Sequence, residues 1–323
     1  MINRISYYIS PDTDPYRNIA TEKLLLDTVR DDECILYLWQ NKNTVVIGRN
    51  QNAWAECRTS LLEQDGGYLA RRLSGGGAVF HDLGNLNFTF LMAEDNYDLG
   101  KQLLVIEKAC RTLAIAAERS GRNDILANGC KFSGNAFYHH GGRSYHHGTL
   151  LIDTDMDRLT RYLSPPKAKL EAKGVASVRS RVINLKQLCP GLTCAQMQKQ
   201  MLCAFASVYC ADAARIDLTS EQQKNIIQQA KEFASWDWLY GKKQAFSFAC
   251  EERFAWGHIS VQLQLQSGRI ECVRVFTDSM DWSLAEKVET ALLGCRFTYT
   301  QIESRLQNLP EANDICRMFA RTI

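Results

Sequence analysis

Three consecutive glycines, Gly75-Gly76-Gly77, constrain this chain more than any other feature. Glycine gives up more backbone freedom on ordering than any other residue, so neither a helix nor a regular strand runs easily through such a triplet. The flanks read as strands: residues 68–72 before it and 86–92 after it, the second with its phenylalanines on one face. The triplet is therefore expected as a loop between strands, and on glycines alone a plain hairpin loop explains it. The sharper reading is a ligand cradle. Without Cβ atoms the backbone can approach a ligand closely, and successive N–H groups can line an anion-binding concavity. Arg72 beside it offers a fixed charge with fork geometry for phosphate or carboxylate. Neither a GxxxxGK[ST] loop nor a GxGxxG turn opening a helix is met.

Strand and helix signals alternate around this loop. Asp14-Pro15 reads as the N-cap and first residue of a helix to about Arg30. Residues 34–39 and 44–47 read as short strands, and 101–120 as a helix closed by Gly121. Residues 131–138 and 145–152 read as strands paired across Gly141-Gly142. A short helix at 156–163 stops at Pro165-Pro166, and helices at 194–210 and 221–234 follow. The character changes near 240–244. Beyond it Ile259, Val261, Leu263 and Leu265 alternate with polar residues, and Ser267-Gly268 turns the chain into a second strand at 269–276. Ser283 and Glu286 have the spacing of a capping box for a helix ending at Gly294, and a last helix follows Pro310. The expectation is an α/β (α+β) protein with a large catalytic domain, residues 1–244, and a small α+β domain, 245–323.

A length of 323 residues suits two domains, and a net charge of +2 provides no global field for nucleic acid. The N-terminus has no apolar core of a signal peptide and carries Asp12 and Asp14 early. No uncharged apolar run reaches the roughly 18 residues of a membrane span. The twelve cysteines are scattered from Cys34 to Cys316 without a CxxC pair. Cys189 and Cys194 are too far apart for a zinc knuckle. Cys203 and Cys210 have helical spacing and are expected to pack as small hydrophobes. The reading is a cytoplasmic monomer with reduced thiols, and no nucleic-acid or membrane partner.

Three further segments carry chemistry. In Lys131-Phe132-Ser133-Gly134-Asn135-Ala136 a lysine enters a small, glycine-containing strand, where it can hold a carboxylate and a phosphate together as a compact charge. Asn123-Asp124 upstream can supply hydrogen bonds or a carboxylate for Mg²⁺. In His146-His147-Gly148-Thr149 adjacent histidines point to opposite faces, so they do not share a metal. With His139 and His140 near, one histidine or Thr149 is expected to line a pocket and the rest to face solvent. Residues 167–182 are basic without interleaved aromatics, which disfavours a nucleic-acid stripe. They read as a solvated loop or a lid over an anionic ligand.

Taken in order, ARRLSGGGAVFHDLGNLNFTF, SGRND, KFSGNAF, HHGTLL and KGVASVRSRV resemble the lipoate–protein ligase A family, with TVVIGRNQ at 44–51 and FTDS at 276–279 extending the likeness over nearly the whole chain. The resemblance implies a large domain like the biotin ligase and class II synthetase core, plus a small C-terminal domain. It implies that ATP, as its Mg²⁺ complex, converts lipoate to lipoyl-AMP with release of pyrophosphate. The lipoyl group then passes to a lysine on lipoyl domains of 2-oxoacid dehydrogenase E2 subunits or glycine cleavage H protein, a salvage reaction. No structural metal is implied. ATP and adenylate contacts are implied at Arg72, Ser74, Gly77, Ala78, Val79, Phe80, Asn85, Asn123, Asp124 and Lys131, with Lys131 catalytic and Asp124 the Mg²⁺ candidate. Lipoate contacts are implied at Lys131, Ser133, Gly134, Thr149, Glu22 and Trp39, with Ile19 and His81 weaker candidates. Residues 173–181 look like the adenylate-binding loop, and Ala127-Asn128-Gly129 is a shorter turn than in some relatives.

The main alternative is an ATP-independent octanoyl or lipoyl transferase of the same fold. Such enzymes use an activated cysteine. No cysteine stands between Cys130 and Cys189, and 174–177 reads GVAS where the nucleophile is expected. Cys130 should point away from its neighbour Lys131. The GRGRRG loop of biotin ligases is absent. A non-enzymatic module that only presents acceptors leaves the arginine, glycine and lysine set without a purpose.

Overall fold

The computed structural model describes residues 2–49, 51–120, 124–163, 182–241, 246–279, 281 and 283–323. Asn123, Gly121 and the basic segment 173–181 lie outside the described residues, so the readings placed on them have no structural counterpart here.

The first strands are β1 (Arg4–Ile9), β2 (Glu33–Trp39), β3 (Thr44–Ile47), β4 (Tyr68–Arg71) and β5 (Val79–His81). They are followed by β6 (Asn85–Ala93), β7 (Ala117–Ser120), β8 (Asp124–Ala127), β9 (Cys130–His140), β10 (Arg143–Leu151) and β11 (Ala213–Arg215). Eight of these form a mixed sheet in the order β11-β1-β2-β6-β10-β9-β8-β7. Every residue of β2 and β6 is buried, because helices cover both faces. On one face Leu36, Leu38, Phe88 and Phe90 pack against the helices Leu99–Arg111 and Cys194–Tyr209. On the other, Ile35, Tyr37, Trp39 and Leu91 meet the helices Pro15–Thr28 and Ser220–Phe233. The first helix starts as the sequence indicates: Pro15 follows Asp14, whose carboxylate accepts the N–H groups of Tyr16 and Arg17.

A second sheet, β4-β3-β5, sits at the end of the first over its own small core of Val45, Ile47, Leu62, Leu69 and Phe80. The glycine triplet joins β4 to β5, which flank β3 instead of pairing with each other. It is a crossing over the end of β3, not a hairpin.

Two expectations fail in the large part for identifiable reasons. The helix expected over 101–120 ends at Arg111, because Ala114 takes a left-handed φ of 57° and Ile115 N–H bonds back to Cys110. Beyond the stop Ile115 packs into the core, and Ala117–Ser120 form edge strand β7, antiparallel to β8. Cys203 and Cys210 are exposed, and Cys210 caps its helix at a φ of 55°. All twelve cysteines are free.

The C-terminal region folds as β12 (Phe246–Phe254), β13 (Gly257–Gln266) and β14 (Arg269–Thr277), backed by the helices Leu284–Leu292, Tyr299–Leu306 and Ala312–Thr322. Ile259, Val261, Leu263 and Leu265 form the inner face against Val288, Phe297, Ile315 and Phe319. Strand β12 and the helix Tyr299–Leu306 were not expected from the sequence. The capping box does not form: Ser283 Oγ donates to Asp281 Oδ1 at 2.6 Å and makes no cap bond. Trp54 ties this region to the large sheet side, its Nε1 donating to Phe297 O at 3.1 Å and its ring stacking on Tyr240. The boundary expected at Gln244 falls among residues 242–245, outside the described residues. Among the described residues no helix is long and apolar enough to cross a membrane.

Candidate active site

The sheet face that carries the helix Pro15–Thr28 breaks the apolar rule. Asn85, Asn87 and Thr89 occupy alternate positions of β6 there, and His147 and Thr149 of β10 lie beside them, in register with Thr89 and Asn87. A cleft opens over these residues. One wall is the glycine loop, with Arg72, Gly77, Ala78 and Val79; the other is β9, with Lys131, Gly134 and Asn135; Trp39, Val46 and His81 close its inner end.

Arg72 is buried, and its fork is spent on the loop. Nη2 donates to Gly75 O at 2.7 Å and Gly77 O at 2.8 Å, Nη1 to Val46 O at 3.2 Å, and Nε to Ser74 Oγ at 3.1 Å. Gly76 has a φ of 92°, and a Cβ there would lie 2.8 Å from Arg72 Nη2, so only glycine fits. Around Gly75 and Gly77 a Cβ would meet nothing within 4 Å. With the carbonyls drawn to Arg72, the backbone N–H groups of Gly75, Gly76, Gly77 and Ala78 bond to no backbone carbonyl among the described residues. The loop is thus an anion-ready nest. Burial pushes the Arg72 guanidinium down to about 10, which leaves it charged at neutral pH.

Strand β9 brings its lysine to this wall through a bulge. Ile125 pairs with Ser133 but Leu126 with Lys131, so Phe132 is an extra residue. In an unbroken strand Lys131 would share a face with Ser133. The bulge puts it with Gly134 instead and buries Phe132 and Ser133. A Cβ on Gly134 would lie 3.0 Å from Lys131 Nζ, so the glycine leaves room for the ammonium head. That head pairs with Asp124 Oδ1 at 2.7 Å, both side chains about one-third exposed (35% and 36%). Thr149 Oγ1 accepts the Gly134 N–H at 3.3 Å.

Behind the cleft lies a buried polar chain. Glu22 Oε1 accepts from Thr89 Oγ1 at 2.7 Å and lies 2.8 Å from His147 Nδ1. His147 Nε2 is 2.8 Å from Ser74 Oγ. Thr89 in turn accepts the Trp39 Nε1 proton at 3.1 Å. On the opposite face His146 sits between Gln102 Oε1, 2.9 Å, and Asn135 Oδ1, 2.8 Å. Burial pushes it down to about 3, with His147 adding to the effect, so it is neutral. His81 is also driven to about 3, first by burial and then by Arg72 and His147. Its Nδ1 lies 3.2 Å from Asn41 Nδ2, and Asn41 Oδ1 is held by Asn18 Nδ2 at 3.0 Å. The neutral ring therefore carries its proton on Nε2, which has no partner among the described residues.

Of the residues named from the sequence, Trp39, Arg72, Gly77, Ala78, Val79, Lys131, Gly134 and Thr149 line one cleft, with Asp124 at its mouth. Glu22 and Ser74 stand one layer behind. Phe80 packs its ring on Tyr162 at 5.5 Å, Ile19 is core, Asn85 bonds Asn87 at 2.8 Å, and Ser133 is buried off the cleft. The histidine reading needs one correction: His147 lines the cleft and His139 and His140 are exposed, but His146 is buried on the opposite face instead of facing solvent. Asn87, Asn135 and His147 were missed as site residues. Asn85, Asn87 and Thr89 could have been flagged, because three polar residues on one face of a strand otherwise this apolar are a signal. Among the described residues no group of three acidic, histidine or cysteine side chains gathers for a metal.

A cleft with a cation on one wall and, on the other, a loop of amides without backbone partners among the described residues suits an anionic substrate, and it sits at the end of a mixed α/β sheet. The chain belongs to the lipoyl protein ligase family: the lipoyl protein ligase A/B catalytic domain matches residues 14–206, and the bacterial lipoate protein ligase C-terminus matches residues 243–319. It is 39% identical over 309 residues to lipoate-protein ligase A of Psychrobacter cryohalolentis, covering 93% of this chain and 91% of that one. It resembles the crystal structure of P. falciparum LipL1 in complex with lipoate, with a TM-score of 0.65, 27% identity, and 98% and 99% of the two chains covered. A lipoate-protein ligase A bound with ATP shares the fold, with a TM-score of 0.64, 23% identity, and 74% and 98% covered.

Proposed function

We propose that this chain is an adenylate-forming ligase that activates lipoate with ATP and transfers it to a lysine of an acceptor protein. The observation that carries the reading is the placement of Lys131: a bulge and a glycine aim its ammonium group at the mouth of the cleft, opposite a loop of free backbone N–H groups.

A carboxylate is a poor acyl donor. In the first step a lipoate carboxylate oxygen attacks the α-phosphorus of ATP, the bond to the β-phosphate oxygen breaks, and pyrophosphate leaves. Charge builds on the α-phosphate oxygens, where Lys131 and the amides of Gly77 and Ala78 stabilise it. Lys131 exchanges Asp124 for the substrate carboxylate and phosphate. Arg72 shapes the nest. The acyl chain lies toward Trp39, Thr149 and His81, with an apolar wall at Val46. In the second step the acceptor lysine, as free amine, attacks the acyl carbon and AMP leaves. Mg²⁺ enters on the nucleotide as part of the substrate, and a single carboxylate, Asp124, matches the one or two that Mg²⁺ takes from a protein beside phosphates. The acceptors are lipoyl domains, those of 2-oxoacid dehydrogenase E2 subunits and glycine cleavage H protein. Residues 1–244 are the catalytic unit and 245–323 an accessory one. Twelve free thiols support a cytoplasmic setting.

The test is incorporation of labelled lipoate into a purified lipoyl domain with ATP and Mg²⁺. The expected result is ATP-dependent labelling of one lysine. Equal labelling without ATP from an acyl-carrier donor would instead identify a transferase.

A further inference from the structure

The Ser74–His147–Glu22 arrangement has the distances of a nucleophilic triad, 2.8 Å from hydroxyl to ring and 2.8 Å from ring to carboxylate. Its surroundings contradict that use. Ser74 is 1% exposed, which keeps an acyl group from it, and its oxygen accepts the Arg72 Nε–H with one of its lone pairs. The groups are nevertheless linked end to end, from the Glu22 carboxylate to the Arg72 guanidinium. Arg72 donates and never accepts, so the Ser74 oxygen is the acceptor in that contact. His147 bridges the two, with Nδ1 at Glu22 Oε1 and Nε2 at Ser74 Oγ, and the Ser74 oxygen accepts from Arg72. The other branch runs from Trp39 Nε1 through Thr89 to Glu22.

We propose that Glu22, His147 and Ser74 are positioning residues that hold Arg72, and through it the glycine loop, in the conformation that receives the nucleotide. Ser74 Oγ shares the Nε edge of the fork with Gly75 O, each at 3.1 Å, and so helps to set where Nη2 meets the carbonyls of Gly75 and Gly77. The fork draws those carbonyls to itself, and the loop N–H groups bond to no backbone carbonyl among the described residues, which leaves them for the nucleotide. The chain also reaches Trp39 at the acyl end, which gives the two substrate regions one shared hydrogen-bonded support. The inference rests on the ligase reading for its assay, and on the loop geometry for its substance.

The experiment compares Ser74→Ala, Glu22→Gln and the double variant with the wild type. Pyrophosphate release is measured against ATP and, separately, against lipoate, and ATP binding without lipoate is measured by calorimetry. Thermal melts confirm folding. Ser74 lies behind the cleft, so Ser74→Ala should raise the KM and Kd for ATP about tenfold, the size of one charge-assisted hydrogen bond, and move the KM for lipoate less than about twofold. Glu22→Gln should weaken ATP as well, although His147 and Ser74 separate it from Arg72. The double variant should be no worse than the worse single, because both cut one chain. Equal loss for ATP and lipoate in Ser74→Ala, or additive losses in the double variant, would overturn the proposal. Labelling of Ser74 by a fluorophosphonate would overturn it in favour of a nucleophile. A wild type that binds ATP without lipoate-dependent pyrophosphate release would sink the ligase reading alone, and the ATP Kd values would still decide the chain. A wild type that binds no ATP would sink both.

Discussion

The two sheet systems of this protein obey different rules. In the C-terminal sheet Ile259, Val261, Leu263 and Leu265 face inward and their neighbours outward, and among the described residues no buried polar or charged side chain occurs beyond Asn184. In the large sheet the buried positions hold Asn85, Asn87, Thr89 and His147 on one face, with Glu22, Arg72 and Ser74 close by, and His146 on the other. Burying a polar group costs free energy unless it is hydrogen-bonded, so a chain does not keep such a cluster for packing. One sheet is built to be stable, and the other gives up stability to fix a site.

The largest test of that division is Lys131→Ala. Pyrophosphate release should fall by about a thousandfold or more, because the transition-state charge loses its nearest cation. The melting temperature should barely move, since the Asp124 pair is only partly buried. Lys131→Arg should not rescue, as a planar fork cannot replace a compact ammonium beside Gly134. A variant that loses stability and activity together would dissolve the contrast.

Acid should act on the large part first. His81 and His146 titrate at about 3 when folded, against roughly 6.5 unfolded. The unfolded chain binds protons first as pH falls, so the stability they contribute is complete above pH 6.5 and is lost from there down towards 3. Each histidine costs about 1.4 kcal/mol per pH unit in that window. Melting followed between pH 7 and 5 should show this decline. A flat profile would mean that the rings are charged in the fold.

Leu263→Ala should remove roughly 2–5 kcal/mol from the C-terminal region in urea unfolding, with the KM for ATP unchanged. Smallest in free energy is Gly76→Ala. Its methyl group meets Arg72, so ATP should bind about tenfold more weakly, roughly 1.4 kcal/mol. Gly268→Ala, strained in the same way against Trp236 at a φ of 75°, should cost stability and leave ATP binding alone. Equal effects of the two glycine variants on ATP would erase the distinction between the regions.

This contrast also explains what the sequence could reveal. Periodicity located most strands and helices, and the inner face of β13, because packing follows the pattern there. It overran at Ala114, where a single left-handed residue stops a helix whose apolar pattern continues. The motifs placed Lys131 in the site, but period two would have aimed it beside Ser133, and only the paired partner strand reveals the bulge at Phe132. Ser74 and Glu22 carry the family pattern without touching the cleft. Their link through His147 joins residues 73 and 125 positions apart, beyond the reach of any local signal.

The most direct measurement is pyrophosphate release from ATP and Mg²⁺, with and without lipoate, before any acceptor is added, in the wild type and in Lys131→Ala. The account expects release that depends on lipoate and disappears in the variant. Release that ignores lipoate, or that survives the loss of Lys131, would contradict it.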